Sequence, residues 1–170
     1  SKLVATVTNA RVTHDYFVTS VGISGETIVV GAPSQGYDGS GANFLSAAGA
    51  VYIFTRSGVT WSQQSKLVAT GTNARMAGDN FGSNAGISGE TIAVGAPYQG
   101  YDGSGANLVI AAGAVYVFTR SGVNWSSQAK LVATGTNARM DSDNFGSSVG
   151  ISGDSIIVGA KYQAYDGSGA

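Results

Sequence analysis

A glycine-rich loop that occurs three times contains the side chains with the clearest capacity for chemistry. The sequence Tyr-Asp-Gly-Ser-Gly-Ala-Asn spans residues 37–43 and 101–107, and residues 165–170 repeat its first six positions. Oxygen atoms of Asp, Ser and Asn are the type of ligand that calcium prefers. A tyrosine ring can instead stack on a sugar while the neighbouring carboxylate accepts hydrogen bonds from the sugar hydroxyls. The loop is therefore a candidate binding site.

Three interpretations of this loop remain open from the residues alone. A glycan or protein ligand would contact its tyrosines and aspartates, which are Tyr37, Asp38, Tyr101, Asp102, Tyr165 and Asp166. A cation, with calcium the candidate cofactor, would be held by the carboxylates Asp38, Asp102 and Asp166. In the third interpretation Asp-Gly and Ser-Gly simply build turns, with each Asp accepting hydrogen bonds from nearby backbone amides.

A second acid recurs two residues before a phenylalanine, as Asp15, Asp79 and Asp143. In the third copy Asp141 lies close enough in sequence to Asp143 for the two to share a cation, but the second copy lacks the first acid of this pair. A role in a turn or at a strand entry is therefore favoured. His14 is the only histidine and has no counterpart in the other copies, so no Ser/His/Asp arrangement can repeat. The sequence predicts a protein that is not an enzyme and has no required cofactor.

The composition excludes several classes of partner. Only 11% of the 170 residues are charged and the formal net charge is −1, so no basic surface for nucleic acid is present. No apolar run approaches the length of about 18 residues that a membrane-spanning helix needs, which argues against membrane insertion. The chain has no cysteine, which removes disulfides and thiolate metal sites. A hydrophobic share of 43% and 26 glycines instead indicate a packed protein with many short turns.

These loops lie in a repeat of 64 residues, with units at 1–64, 65–128 and 129–170 and a partial third unit. Each unit is expected to bury its faces by stacking on its neighbours. Short apolar runs separated by Ser-Gly turns predict four strands per unit, near residues 17–23, 27–33, 49–56 and 60–70, with equivalents 64 and 128 residues later. The recurrent glycines argue against helix. The predicted fold is all-β, with four-stranded antiparallel sheets arranged as β-propeller blades.

Two short clusters give the chain a family likeness. Phe81-Gly82 followed by Gly95-Ala96-Pro97 resembles the FG-GAP repeat, the blade unit of the integrin α-subunit head and of many bacterial secreted and surface proteins. The first unit departs from the pattern with Phe17-Val18, and the third with Gly159-Ala160-Lys161. The resemblance covers the whole chain, so residues 1–170 are interpreted as one FG-GAP array that forms part of a larger propeller.

The resemblance implies a non-enzymatic binding or adhesion module that is extracellular or at the cell surface. An alternative is a structural array that self-assembles or spaces other domains, and a third, less favoured, is a propeller enzyme acting on polysaccharides. Integrin-type repeats also carry a calcium loop of the form D-x-D-x-D-G-x-x-D between their first two strands. Here only Ser-Gly-Glu or Ser-Gly-Asp occupies that connection, which is too short to supply six to eight oxygen ligands.

The third unit raises an expectation about partners. It contains residues for only two strands, so the array would present unpaired strand edges and apolar blade faces. We therefore expect either self-association or continuation in a longer chain that closes the propeller.

Overall fold

The computed structural model describes residues 3–6, 8–11 and 13–164, and within these residues it contains ten strands and no helix. Blade 1 consists of β1 (Val21–Ser24), β2 (Thr27–Ala32), β3 (Ala50–Ser57) and β4 (Thr60–Leu67). Blade 2 consists of β5 (Asn84–Ser88), β6 (Thr91–Ala96), β7 (Ala114–Ser121) and β8 (Asn124–Leu131). Blade 3 contains β9 (Phe145–Ser152) and β10 (Ser155–Ala160). The all-β prediction is confirmed, and no described segment is a helix that could span a membrane.

Each complete blade is an antiparallel meander, with strand order β1-β2-β3-β4 in blade 1 and β5-β6-β7-β8 in blade 2. Two-residue turns with glycine in first position join β1 to β2 and β3 to β4. Gly25 has φ 53° between the paired residues Ser24 and Thr27, and Gly58 has φ 60° in the β3–β4 turn. A positive φ at the first central residue is the requirement of a tight hairpin turn, and glycine meets it without a steric penalty.

The third strand of each complete blade is buried on both faces. In β3 the run from Ala50 to Phe54 is buried, and β7 repeats this pattern at its first five positions. Phe81 packs edge-on against Tyr116 and Phe118, with ring centroids 5.5 and 6.0 Å apart. Ile53 of blade 1 and Ile87 of blade 2 lie in the same buried cluster as these aromatic rings. Blade 1 therefore covers one side of blade 2, as the mixture of apolar residues on both faces of these strands predicts.

Glycines allow neighbouring blades to approach at the level of the backbone. A Cβ atom at Gly31 would overlap the carbonyl oxygen of Gly82, and a Cβ at Gly95 would overlap that of Gly146. Gly49 forms a parallel bridge with Phe81, so the phenylalanine backbone pairs with the preceding blade. The two clusters that define the repeat therefore face each other across the blade junctions.

Strand boundaries differ from the prediction at two places. The first strands of blades 1 and 2 begin at Val21 and Asn84, three or four residues later than expected, because the residues directly before them form turns or bends. In blade 3 the strand begins at Phe145, as predicted. The fourth strand of blade 1 ends at Leu67 because the chain then leaves the sheet toward a turn at Gly71.

Candidate functional site

The first repeated loop connects β2 to β3, and its aspartate organises the loop itself. Asp38 Oδ1 accepts hydrogen bonds from the backbone amides of Ser40 and Ala42 at 2.9 and 3.0 Å and from the Ser40 hydroxyl at 2.6 Å. Its Oδ2 accepts a bond from Asn43 Nδ2 at 2.6 Å. The hydrogen bonds from Ser40 and Asn43 hold the pKa of Asp38 well below its usual range.

The second copy of the loop, between β6 and β7, has the same arrangement. Asp102 accepts from the Ser104 amide and hydroxyl at 2.9 and 2.6 Å, from the Ala106 amide at 3.1 Å and from Asn107 Nδ2 at 2.6 Å. Its pKa is also lowered, first by the Ser104 hydroxyl. The structure therefore shows the bonds that the turn interpretation requires. Ligand or cation binding by these carboxylates stays a prediction.

The loop tyrosines are half-buried rather than presented as open platforms. The Tyr37 ring packs against Phe44 with centroids 5.0 Å apart, and the Tyr37 carbonyl accepts a hydrogen bond from Lys66 Nζ at 2.8 Å. Tyr101 lines a pocket of about 210 Å³ together with Tyr98 and Leu108. The predicted residues Tyr165 and Asp166 of the third copy lie outside the described residues.

An arginine side chain from the following repeat unit donates hydrogen bonds to backbone carbonyls of each loop. Arg75 donates to the carbonyls of Asn43, at 2.9 Å, and of Gly36. Arg139 donates to Asn107, also at 2.9 Å, and to Gly100. Burial lowers the pKa of Lys66 to about 8. The Lys66 amino group lies over the Tyr52 ring and donates a hydrogen bond to the Tyr37 carbonyl. The loops are thus fixed parts of the blade junctions.

The second recurring acid belongs to a buried polar network. Asp79 Oδ2 accepts from Gln99 Nε2 at 2.8 Å and from the Met76 amide at 2.6 Å, and burial raises the pKa of Asp79 to about 6. Gln99 is fully buried, and its Oε1 accepts from the Tyr101 amide at 2.7 Å. Tyr116 donates to the Ala74 carbonyl at 2.8 Å. This network holds the start of the loop to the entrance of the blade, which agrees with the strand-entry role favoured from sequence.

Sequence reasoning missed the glutamines of this network. Gln35 bonds to Asp15 at 3.0 Å, and Gln163 bonds to Asp143 at 3.1 Å, in the same way as Gln99 bonds to Asp79. The signal was present, because a glutamine recurs twenty residues after each recurring aspartate. Buried polar groups are nearly always hydrogen-bonded, and here a buried amide donates to each buried carboxylate.

A depression of about 450 Å³ is bounded by residues from all three blades. It lies where the first strand of each blade begins and the second strand ends. Three tyrosines at its rim, Tyr16, Tyr98 and Tyr162, are each more than half exposed. We call this depression the three-blade groove. Its remaining lining residues are Thr19, Pro33, Ser34, Asn80, Ser83, Pro97, Asn144, Ser147 and Lys161.

Polar groups in the three-blade groove are oriented by the backbone. The hydroxyls of Thr19, Ser83 and Ser147 donate to backbone carbonyls at 2.6, 2.7 and 3.2 Å. Asn144 Nδ2 donates to the carbonyls of Pro97 and Ala111 at 3.1 and 3.0 Å. Because their protons are used within the protein, these side chains present oxygen acceptors to the groove. The groove is suited to a ligand that carries hydroxyl donors.

Neither a metal cluster nor a histidine-based catalytic site is visible in the residues that the structure describes. No group of three or more His, Cys, Asp and Glu side chains there is placed to hold a metal ion. His14 lies in an exposed turn with φ 66°.

Comparison with known proteins identifies the repeat. The family model described as FG-GAP repeat matches residues 1–54, 61–118 and 125–170. No curated protein matches the chain. The three matched segments cover most of the sequence and follow the three structural units, and the Phe-Gly and Gly-Ala-Pro clusters meet at the blade junctions. The chain belongs to the FG-GAP repeat family.

Proposed function

We propose that this chain is a non-enzymatic binding module that acts outside the cell or at its surface and holds a neutral glycan in the three-blade groove. The groove is the observation that carries the proposal, because residues from three successive units line one depression. The family likeness supports the location, since FG-GAP repeats resemble the blades of integrin heads and bacterial surface proteins.

The chemistry of the groove favours a glycan. Its rim has three exposed tyrosine rings, which offer flat apolar faces with a polar tip. Its walls present hydroxyl and amide oxygens, and Lys161 is the charged side chain among its lining residues. A neutral sugar chain combines apolar ring faces with many hydroxyl groups, so it matches both features.

A protein ligand is the second candidate, and a different feature favours it. Tyr98 also lines the smaller pocket beside the groove, where Leu108 and Ile110 are more than half exposed. Exposed apolar side chains around a concavity are typical of protein contact sites. This candidate predicts that substitution of Leu108 and Ile110 reduces binding more than substitution of Tyr162.

A glycan-array screen followed by titration of the best ligand tests the proposal. The double variant Tyr98→Ala, Tyr162→Ala is expected to weaken binding at least about tenfold, which corresponds to about 1.4 kcal/mol. Both side chains are exposed, so folding should be preserved. Val59→Ser, in the β3–β4 turn, is the matched control, because Val59 is also exposed and does not line the groove.

The same titration separates the groove from the repeated loops. Tyr101→Phe removes only a hydroxyl group from the loop, so the proposal expects it to bind as the unsubstituted chain does. If Tyr101→Phe weakens binding while the double variant does not, the ligand contacts lie in the Tyr-Asp loops, as the sequence suggested. Hydrolysis of the bound glycan by the purified chain would contradict the non-enzymatic assignment.

A further inference from the structure

The three-blade groove follows the 64-residue repeat in its composition. Every residue that lines it falls on one of four positions of the repeat, which are those of Tyr16, Thr19, Pro33 and Ser34 and their equivalents 64 and 128 residues later. Each blade therefore contributes the same four positions. The groove is a set of equivalent subsites rather than one irregular pocket.

One subsite lies at the junction of blades 2 and 3. Asn144 Nδ2 in blade 3 donates to the Pro97 carbonyl in blade 2 at 3.1 Å, so the two blades are in direct contact here. The Tyr98 ring is 51% exposed beside this contact. The Ser147 hydroxyl presents an oxygen acceptor, because it donates its own proton to the Gly159 carbonyl at 3.2 Å. We call the four groove residues at this junction subsite 2–3.

The junction of blades 1 and 2 has an equivalent set. Gly31 approaches the Gly82 carbonyl as Gly95 approaches the Gly146 carbonyl, so the neighbouring groove residues are placed in the same way. This set, subsite 1–2, consists of Pro33, Ser34, Asn80 and Ser83. The two subsites have the same residue types at three positions and differ only at the fourth, where Ser34 stands in place of Tyr98.

The backbone at this fourth position is held in the same way in blades 1 and 3. The Ser34 amide donates to the Asp15 carbonyl at 3.3 Å, and the Tyr162 amide donates to the Asp143 carbonyl at 3.2 Å. The Tyr162 side chain is 58% exposed on this backbone. A tyrosine in place of Ser34 would therefore start from the same backbone geometry.

We propose that the three-blade groove binds an oligosaccharide of identical neutral sugars, with successive sugar rings held by subsites 1–2 and 2–3. The inference rests on glycan binding in the groove, as proposed above, and adds the class of glycan. Equivalent subsites recognise equivalent chemical groups, so a ligand that occupies both has the same sugar at both places. The Tyr98 ring covers the apolar face of one sugar, and the side-chain oxygens accept hydrogen bonds from the sugar hydroxyls.

The groove has room for more than one sugar. Its volume is about 450 Å³, which lies within the range of about 300–1,000 Å³ for pockets that enclose drug-sized ligands. A monosaccharide fills one subsite and leaves the other to water. Once one ring is bound, a second ring linked to it binds from within the complex and gains from its high effective concentration. Affinity is therefore expected to rise steeply from one sugar to two or three.

Isothermal titration calorimetry with a length series tests the proposal on the unsubstituted chain. The probes are glucose, mannose and galactose and their unbranched homo-oligosaccharides of two to four units. At least one series is expected to bind, with the trisaccharide at least about tenfold tighter than its monosaccharide. A monosaccharide that binds as tightly as its own trisaccharide would overturn the proposal. Groove binding found only for glycans whose neighbouring sugars differ would also overturn it.

A swap of the one differing position tests whether the two subsites are equivalent. Tyr98→Ser makes subsite 2–3 resemble subsite 1–2 and should weaken trisaccharide binding about fivefold or more. Adding Ser34→Tyr moves the ring to the neighbouring junction and should restore the affinity to within about twofold of the unsubstituted chain. Ser57→Tyr is the matched control for this addition, because Ser57 is exposed in β3 and does not line the groove. It should restore nothing.

The outcomes separate this inference from the proposed function. If no neutral glycan binds, or if the double variant Tyr98→Ala, Tyr162→Ala binds as the unsubstituted chain does, glycan binding in the groove fails and the inference fails with it. If a glycan binds in the groove but chain length has no effect, the proposed function stands and the repeating ligand alone is overturned. A swap variant that keeps its β structure by circular dichroism but does not recover binding would overturn the equivalence of the subsites.

Discussion

At the scale of single residues, close backbone approach explains why the junction positions are glycines. Gly82 and Gly146 have φ values of 91° and 89°, and a side chain on either would meet the first carbonyl of β3 or β7. Gly31 and Gly95 face the Gly82 and Gly146 carbonyls directly. The recurrence of the two clusters along this chain therefore follows from sterics at the junction rather than from binding chemistry.

The first prediction concerns Gly31→Ala. Its new Cβ would overlap the Gly82 carbonyl oxygen, and backbone cannot move aside as a flexible side chain can. We expect the free energy of unfolding in urea to fall by about 1–3 kcal/mol. Gly39→Ala is the control, because its Cβ would lie 3.5 Å from the Lys66 carbonyl oxygen, at ordinary van der Waals distance. Equal stability of the two variants would contradict the close-approach explanation.

The second prediction concerns the pH dependence contributed by Asp79. Burial raises its folded-state pKa from 3.8 to about 6, so the folded protein retains this proton at pH values where the unfolded chain has lost it. Stability should therefore fall as pH rises from about 4 to about 6, by up to about 3 kcal/mol from this group. Lys130 and Arg75 oppose the shift but do not cancel it.

Asp79→Asn tests this dependence, because the amide has nearly the same shape and does not ionise in this range. Urea unfolding at several pH values should show a flatter profile between about pH 4 and pH 6 for the variant. The lowered pKa values of Asp38 and Asp102 act below about pH 4 and do not interfere. A variant that retains the full slope of the unsubstituted chain would show that another group is responsible.

At the scale of elements, the repeated loop is held by hydrogen bonds that need no metal. Both oxygens of Asp38 and of Asp102 accept bonds from their own loop. We expect EDTA or millimolar calcium to change the melting temperature little. An ion that binds the folded protein and is present at a free concentration of one hundred times its dissociation constant would add about 2.7 kcal/mol to the free energy of unfolding. Differential scanning calorimetry resolves a change of that size. A calcium-dependent rise in melting temperature that Asp102→Asn abolishes would instead establish the cation site.

The strands and turns could be predicted from sequence because their signals are local. Ser-Gly turns and the apolar run of β3 and β7 directly determine hairpins and buried strands. The first strands of blades 1 and 2 begin later than predicted, because turns or bends directly precede Val21 and Asn84. The bridge that pairs Phe81 with Gly49 of the preceding blade is a long-range contact that no local pattern records.

The three-blade groove was not predicted because its tyrosines do not all occupy one position of the repeat, and no position that lines the groove has a tyrosine in every unit. Tyr16 aligns with Asn80 and Asn144, whereas Tyr98 and Tyr162 align with Ser34. In an alignment of the three units these differences are simply substitutions between copies, and they give no sign of a shared site. Only the arrangement of the blades brings Tyr16, Tyr98 and Tyr162 around the same depression.

At the scale of the whole molecule, each unit contributes a sheet and no unit alone forms the groove. The beginning of β5 and β9 and the end of β2, β6 and β10 meet around one centre. Glycan binding is therefore expected to be a property of the array. Separation of one unit from the others should abolish binding rather than reduce it in proportion.

Hydrogen exchange measured by mass spectrometry with saturating ligand tests this claim most directly. We predict that the glycan selected by array screening slows exchange in segments from every blade, around residues 16–20 in blade 1, 80–84 and 97–99 in blade 2, and 144–148 and 160–163 in blade 3. Protection confined to residues 37–43 and 101–107, or to a single blade, would contradict it.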